Sequence, residues 1–367
     1  MTQRILIATG IFPPDIGGPA TYAQLLVNQL PARGVAVSLV SFGTVRHLIK
    51  GWRHIVYGYK LWRGSAAVDT IYALDPLSVG LPAAVVACLR RKRFVLRVAG
   101  DYAWEQGTQR FGVTDTMEDF SQKHGYRFPI PVFKLLQYWI ACQASLVIVP
   151  SEYLKKIVSN WGVPESKITV VYNAFDVPEF KSKTEVRQQL GVAAQVLVSV
   201  GRLVKWKGFD VVIDVVVQLR SKFPELKLYI IGEGPEREQL QKKIAAAELT
   251  EHIILVGQVS QQIVLNYVRA ADAFVLNTGY EGFSHLLLEV MAAETPIVTT
   301  NIGGNPELIT DQVTGLLVTP NNQVALLKSI EQILENSELA KKLTINARLK
   351  VTEYTEDRML NELVKSL

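Results

Sequence analysis

The sequence predicts two doubly wound, Rossmann-like α/β domains facing across a cleft. Three observations carry this. The chain has 367 residues, about two domains at roughly 150 residues each. Short apolar runs alternate with amphipathic segments, the pattern of parallel βαβ units whose sheet is covered on both faces. That alternation then stops at a polar stretch and begins again.

In the first half, Ile5–Thr9, Ala36–Phe42, Thr70–Leu74, Phe94–Val98 and Leu146–Pro150 read as strands of one sheet. Helical patterns such as Ala20–Ala32 and Leu77–Leu89 lie between them. After Asn173-Ala174-Phe175-Asp176 a polar stretch holds Pro178, Lys181, Lys183 and Glu185. The strand pattern resumes with Val196–Val200, Lys227–Ile231, His252–Val256, Ala273–Asn277, Pro296–Thr299 and Gly315–Val318. We therefore expect an amino domain over residues 1–180 and a carboxyl domain over 181–350. A closing segment, 351–367, reads as an amphipathic helix over Thr352–Leu367 that could pack on either domain, the amino domain being the one we name. Doubly wound domains bind ligands at the carboxyl ends of their strands, so the cleft is the expected active site.

Composition narrows the function. Charged residues make up 20% and the hydrophobic set 49%, which excludes a disordered or low-complexity chain. The longest uninterrupted apolar candidate, Val79–Leu89, contains Pro82 and stops at Arg90, too short to span a bilayer. The opening Arg4-Ile-Leu-Ile-Ala-Thr9 reads as a buried strand rather than a signal sequence. Cys88 and Cys142, with apolar neighbours and no CxxC spacing, read as core residues of a reducing compartment. The expectation is a soluble cytoplasmic protein. Charge is distributed unevenly: residues 1–100 carry twelve Lys/Arg against three Asp/Glu, a net of +9, and the remainder carries a net of −4. An anionic partner is implied for the first half. Without a zinc-finger, helix-turn-helix or aromatic-basic RNA pattern, a membrane surface outranks nucleic acid, and no nucleic-acid partner is expected.

Several familiar chemistries are missing. The turn after the first strand reads Gly10-Ile-Phe-Pro-Pro-Asp-Ile-Gly-Gly, not GxGxxG, and no acidic residue closes the second strand, so hydride transfer is disfavoured. No P-loop, HExxH or GxSxG sequence occurs, and the five histidines lack metal-ligand spacing. No metal site is expected.

The motifs that remain suit a phosphorylated ligand. Gly17-Gly18 ends the loop after strand one, ahead of a helix, where backbone N–H groups can approach an anion. An ordinary strand-to-helix turn explains the pair equally well. Gly201-Arg202-Leu-Val-Lys205-Trp-Lys207-Gly208 follows Val196–Val200, and Arg202 and Lys207 there offer a planar fork and a point charge to a diphosphate. The competing reading is a solvated basic loop. Glu281-Gly282-Phe283-Ser284-His285-Leu286-Leu287-Leu288-Glu289 places Ser284 as the N-cap of a helix beginning at His285, whose first N–H groups form an anion site. Glu281 and Glu289 then make sense as acceptors for sugar and ribose hydroxyls. As bare acids they would be surface or helix-terminus charges.

Together these segments resemble the retaining glycosyltransferases of family 4, whose fold is GT-B. The EGF-x-x-x-x-x-E element matches Glu281 to Glu289, and GRL-x-x-x-KG matches Gly201–Gly208. The vipNGvD signature appears as Val170-Val171-Tyr172-Asn173-Ala174-Phe175-Asp176, with Ala174 where glycine is usual. Gly303-Gly304-Asn-Pro-Glu307-Leu308-Ile309 with Gly315-Leu316-Leu317-Val318, and the PP-x-x-GG opening at Pro13–Gly18, complete five motifs in order. The resemblance implies donor binding in the carboxyl domain and acceptor binding in the amino domain. Arg202 and Lys207 would hold the leaving diphosphate, Glu289 the ribose and Glu281 the donor sugar. Backbone N–H groups of Phe283, Ser284, His285 and Leu286, beside Gly282, would hold phosphate and sugar, with Gly17 and Gly18 also at the donor. Gly232, Gly234 and Val259 would frame the base. One departure stands out: many relatives carry a histidine after the strand represented by Phe94–Val98, and this chain reads Arg97-Val-Ala-Gly-Asp101-Tyr-Ala-Trp-Glu105. Asp101 is the nearest functional analogue, and a turn Asp after Gly100 is the equal alternative.

The implied reaction moves a hexosyl unit from a UDP- or GDP-sugar, the co-substrate, to the hydroxyl of a glycan or lipid-linked acceptor, with no cofactor and no metal. It belongs to polysaccharide or glycolipid biosynthesis. Two rivals share the fold. A sugar-nucleotide epimerase would share the diphosphate site as well, and the family's glutamate pair favours transfer over it; a non-catalytic sugar-binding scaffold would have lost Arg202, Lys207 or a glutamate. All four are present. Finally, Arg46-His47-Leu-Ile-Lys50-Gly-Trp52-Arg53-His54, continuing through Tyr57, Tyr59, Lys60, Trp62 and Arg63, interleaves rings and cations as an interfacial segment does, with Arg90–Arg93 adding to it. This predicts a peripheral position at the inner face of an anionic membrane. A solvated helix plus an acceptor-site loop is the alternative.

Overall fold

The computed structural model describes residues 3–15, 17–49 and 51–367. The chain forms two compact units, one of residues up to Tyr172 together with Asp357–Leu367, the other of Asn173–Glu356.

The first unit contains β1 (Gln3–Thr9), β2 (Val35–Ser41), β3 (Thr70–Ala73), β4 (Arg93–Arg97), β5 (Leu146–Val149) and β6 (Ile168–Val170). They make one parallel sheet in the order β2-β1-β3-β4-β5-β6. β3 and β5 are buried along their whole length, as strands covered by helices on both faces must be. The order reverses direction between β1 and β3, which makes their carboxyl ends the switch point of this sheet. The closing helix, Glu356–Ser366, is tied to this unit: Arg33 Nη2 reaches Asp357 Oδ1 at 2.7 Å, and Arg93 Nη2 donates to the Ser366 carbonyl at 3.0 Å.

The second unit contains β7 (Val196–Val200), β8 (Lys227–Ile231), β9 (Ile253–Gly257), β10 (Ala273–Leu276), β11 (Ile297–Thr300) and β12 (Leu316–Val318). Its parallel sheet runs β12-β11-β10-β7-β8-β9, so its switch point lies between β7 and β10. Leu197, Leu228, Val275 and Val298 from the strands meet Val212, Ile213 and Val216 of the Phe209–Leu219 helix in one continuous core. Ser182 opens this unit with a reciprocal cap, its hydroxyl accepting from Glu185 N while the Glu185 carboxylate accepts from Ser182 N.

Three sequence expectations change. β6 was not anticipated, because three residues are too few to show a period. The closing helix starts at Glu356 rather than Thr352, since the preceding helix, Ser337–Val351, runs into a turn first. Cys88 and Cys142 are free thiols but not core residues: Cys88 is exposed and Cys142 half-buried. Cys88 lies on the outward side of the Gly80–Arg90 helix with Val85 and Leu89, which are also exposed, so apolar neighbours in sequence did not mean burial. Among the described residues no helix is long and apolar enough to cross a membrane.

Candidate active site

The second unit's switch point is assembled by backbone packing between loops. After β7 the chain enters Gly201–Gly208, and after β8 it enters Gly232–Gly234. Gly201 N donates to the Ile231 carbonyl and Leu203 N to the Glu233 carbonyl, each at 3.0 Å. Gly232 has φ +140°, and a Cβ there would collide with the Gly201 carbonyl; one on Gly234 would collide with that of Leu203. Only glycine lets these loops lie so close.

The β7 loop is fastened across the switch point to the loop after β10. Asn277 Nδ2 donates to the Gly208 carbonyl at 3.3 Å and to Asn321 Oδ1 at 3.1 Å, while its Oδ1 accepts from Asn321 N at 3.0 Å. Gly279 N donates to the Trp206 carbonyl at 2.6 Å. This lacing sets Lys207 Nζ 2.6 Å from Glu281 Oε2, with both side chains mostly buried. On the far side, Gly304 N donates to the Glu281 carbonyl at 2.9 Å, and a Cβ on Gly303 would collide with that carbonyl. The Glu281 loop is therefore gripped on two sides.

Ser284 is buried and caps the His285–Ala292 helix, its Oγ accepting from Leu287 N at 3.3 Å. Asn173 Nδ2 donates to the Phe283 carbonyl at 3.2 Å. One turn into the helix, Glu289 Oε1 accepts from Gln261 Nε2 at 2.8 Å. Burial pushes the Glu289 carboxyl up to about 7 against that hydrogen bond. The structure thus joins Lys207 to Glu281. Arg202 is exposed, and its guanidinium has no ion pair among the described residues. Val259 is half-buried just before the Gln261–Ala270 helix.

The elevated Glu289 carboxyl has a stability consequence. The folded chain holds this proton more tightly than the unfolded one, so the contribution of Glu289 to stability is greatest below about 4.5, falls as pH rises through about 7, and is flat above. Glu289→Gln should remove that slope and stabilise the chain at pH 8 by on the order of 2 kcal/mol after allowing for partial solvent screening. Urea unfolding at pH 5 and pH 8 checks this; identical pH dependence in both chains would refute it.

In the first unit, Gly17 has φ +142° and opens the Gly18–Gln29 helix with no side-chain cap, its carbonyl accepting from Ala20 N at 2.9 Å. Asp101 is fully buried. Its Oδ1 accepts from Trp104 N (2.9 Å) and Gln137 Nε2 (3.1 Å), and its Oδ2 from Trp161 Nε1 (3.0 Å). Burial still raises its carboxyl above the usual range. With three donors on two oxygens and no exposed surface, Asp101 caps the Tyr102–Arg110 helix, the structural alternative that the sequence left open. Asn173 belongs to the vipNGvD signature, while Gln261 and Asn277 had no motif of their own. Of these two, Asn277, a polar residue directly after a central apolar strand, carried a signal.

Comparison with known proteins places the sequence in a family. The model for glycosyl transferases group 1 matches residues 182–350, and the model for glycosyltransferase family 4 matches residues 16–179. The N-acetylgalactosaminyltransferase of Campylobacter jejuni that acts on N-acetylgalactosamine-N,N'-diacetylbacillosaminyl-diphospho-undecaprenol is 27% identical over 61% of this chain and 60% of its own length. The match thus spans less than two thirds of that relative. The GDP-mannose-dependent alpha-(1-6)-phosphatidylinositol monomannoside mannosyltransferase of Mycolicibacterium smegmatis is 23% identical over 94% of this chain and 92% of its own. Among solved structures, Anabaena HepE in complex with UDP-glucose superposes with a TM-score of 0.78 at 18% identity, covering 99% of this chain and 100% of that one. These likenesses agree with the two parallel Rossmann-like sheets and with the order of the motifs along the sequence. The chain belongs to the family 4, group 1 glycosyltransferases.

Proposed function

We propose that this enzyme transfers a hexosyl unit from a nucleoside diphosphate sugar to an acceptor hydroxyl with retention of anomeric configuration, without a metal. The observation that carries the reading is the Lys207–Glu281 pair, held at 2.6 Å across the β7/β10 switch point. A cation for the diphosphate thus stands beside an acceptor for a sugar hydroxyl, where a doubly wound sheet binds its ligand. Lys207 and Arg202 stabilise the charge that develops on the departing diphosphate, joined by the N–H groups opening the His285–Ala292 helix. Glu281 orients the hexose and Glu289 the ribose; Gly232, Gly234 and Val259 border the base. The anomeric C–O bond to the diphosphate breaks, the acceptor oxygen bonds to the anomeric carbon from the same face, and its proton passes to the leaving phosphate oxygen. No second carboxylate is needed, unlike the glycosidase arrangement. GDP-mannose use in one relative and UDP-glucose bound in one structural neighbour support this donor class and leave both bases in play.

A screen of UDP- and GDP-hexoses that follows released nucleotide tests the reading. Turnover of one donor supports it; intact donors throughout, with every acceptor class supplied, would refute it. Among the described residues no group of three or more His, Cys, Asp and Glu is placed to hold a metal ion, and turnover is expected to survive EDTA. Complete loss restored by a divalent ion would overturn the metal-free scheme.

A second reading, peripheral membrane binding, is favoured by the Trp52–Gly64 helix. Tyr57 and Leu61 bury its inner side, while Trp52, Ile55 and Tyr59 stand 63%, 63% and 60% exposed. Arg90 lies over the Trp62 ring at 4.0 Å, so rings and cations share one outward face, as interfacial helices arrange them. Lys50 lies outside the described residues. Each cation near an anionic surface contributes about 1 kcal/mol. Sedimentation with anionic vesicles should fade with salt and drop in a Trp52→Ala, Tyr59→Ala, Lys60→Gln, Arg63→Gln chain; equal recovery in the supernatant with anionic and neutral vesicles would sink the idea.

A further inference from the structure

A pocket that the donor chemistry leaves unused opens in the first unit, among the elements that flank β5. Its walls come from the Met117–Gln122 helix and the loop after it, the Ile130–Gln143 helix, and the end of the Glu152–Asn160 helix. Its volume is about 270 Å³, near the low end of small-ligand pockets, roughly 300–1,000 Å³. That is room for one ring. Tyr126, Tyr138 and Trp161 supply aromatic surface to it, and Lys134 and Asn160 supply polar groups.

Hydrogen bonds and packing fix these walls. Trp161 Nε1 donates to Oδ2 of the buried Asp101 at 3.0 Å, and Gln137 Nε2 donates to its Oδ1 at 3.1 Å, so one carboxylate ties two walls together. The Tyr138 ring lies against Gly162, where an added Cβ would stand 3.2 Å from its Cε2. Tyr126 donates through its hydroxyl to Asp115 Oδ2 at 2.9 Å, and its ring packs on Phe120 with 4.7 Å between centroids. Rings held in place beforehand lower the ordering cost of binding. The polar groups, by contrast, keep unused capacity. Lys134 Nζ donates to the carbonyls of Phe120 at 2.6 Å and Lys123 at 2.7 Å, and an ammonium has a third N–H. Ser121 Oγ donates to the Glu118 carbonyl at 2.6 Å, so it accepts from Asn160 Nδ2 at 2.8 Å, which fixes the orientation of that amide. Asn160 Oδ1 accepts from none of the described residues.

We propose that this pocket binds one hexopyranose ring: Tyr138 and Trp161 take its C–H face, Lys134 donates to one hydroxyl and Asn160 Oδ1 accepts from another. One donor and one acceptor beside aromatic rings discriminate among ligand classes. An acyl chain would fit the rings and leave both polar groups unmatched. An anion would suit Lys134 and meet a repelling oxygen at Asn160. A pyranose matches all of them, because each hydroxyl both donates and accepts while the ring carbons present an apolar face. The inference is drawn from the first unit alone and does not rest on the donor reading. The ring reaches the pocket either as a free hexose or as one residue of a glycan.

The probes are glucose, galactose, mannose and N-acetylglucosamine with their methyl glycosides, titrated into the full chain and followed by saturation-transfer NMR and tryptophan fluorescence. Cyclohexanol, an apolar ring of similar size, runs in parallel. At least one hexose should bind saturably and more tightly than cyclohexanol. Tyr138→Ala should weaken it by roughly tenfold, and Tyr138→Phe, which keeps the ring, should bind as the wild type does. Asn160→Ala should weaken the hexose by about threefold to tenfold and leave cyclohexanol unchanged. Preference for a methyl glycoside over its free sugar assigns a glycan residue; equal or weaker binding of the glycoside assigns a free hexose. Because the donor reading also places a hexose beside Glu281, every titration is repeated in Glu281→Ala, which should leave binding here intact. Hexose binding lost in Glu281→Ala and indifferent to Tyr138→Ala would overturn the proposal while supporting the donor reading. Saturation by cyclohexanol with no hexose bound, or no hexose binding to a wild-type chain that melts cooperatively, would also overturn it.

Discussion

Lys207→Ala is expected to lower turnover by roughly a hundredfold or more, the usual cost of removing one fixed stabiliser of developing charge. Its melting temperature should change little by comparison. The structure adds a ranking. Lys207 is mostly buried and bonded to Glu281, so its removal also releases the carboxylate expected to hold the hexose. Arg202 is exposed, and Arg202→Ala should fall short of Lys207→Ala while still costing at least about tenfold. Steady-state rates with the natural donor, beside circular dichroism melts, check both. Wild-type turnover in two folded variants would remove the diphosphate assignment altogether.

Gly232→Ala should be the most damaging single methyl in the second unit. Gly232 has φ +140°, and a Cβ there meets the Gly201 backbone, which cannot rotate away as a side chain would. The β7 and β8 loops would have to part, breaking the Gly201–Ile231 and Leu203–Glu233 hydrogen bonds. We expect a loss of more than about 3 kcal/mol in urea unfolding. Gly34→Ala is the control: φ is +78° there, but nothing lies within 4 Å of the added carbon. That change carries only the backbone penalty, about 1 kcal/mol. Equal losses at the two positions would mean that the loops do not depend on close approach.

The fold was legible because parallel strands covered on both faces must be apolar along their length, and β3, β5, β10 and β11 are. β6 escaped because three residues carry no period. Lys207, Glu281 and Glu289 were legible as candidates because each lies in or just after a short loop that follows a strand, so each cluster is local in sequence. Their supports were not. Gln261 meets Glu289 across 28 residues and Asn277 meets Gly208 across 69, pairings that exist only once the sheet has brought those loops together. Asp101 shows the opposite error, since an acid after a strand looks the same whether it faces substrate or caps a helix.

The most direct test of the donor site is calorimetric titration of UDP and GDP into the wild-type chain, Lys207→Ala and Glu289→Ala. One nucleotide should bind the wild type saturably, and each variant should weaken it by at least about tenfold, Lys207 through the diphosphate and Glu289 through the ribose. Equal affinity in all three chains would contradict a nucleoside diphosphate site at the β7/β10 switch point.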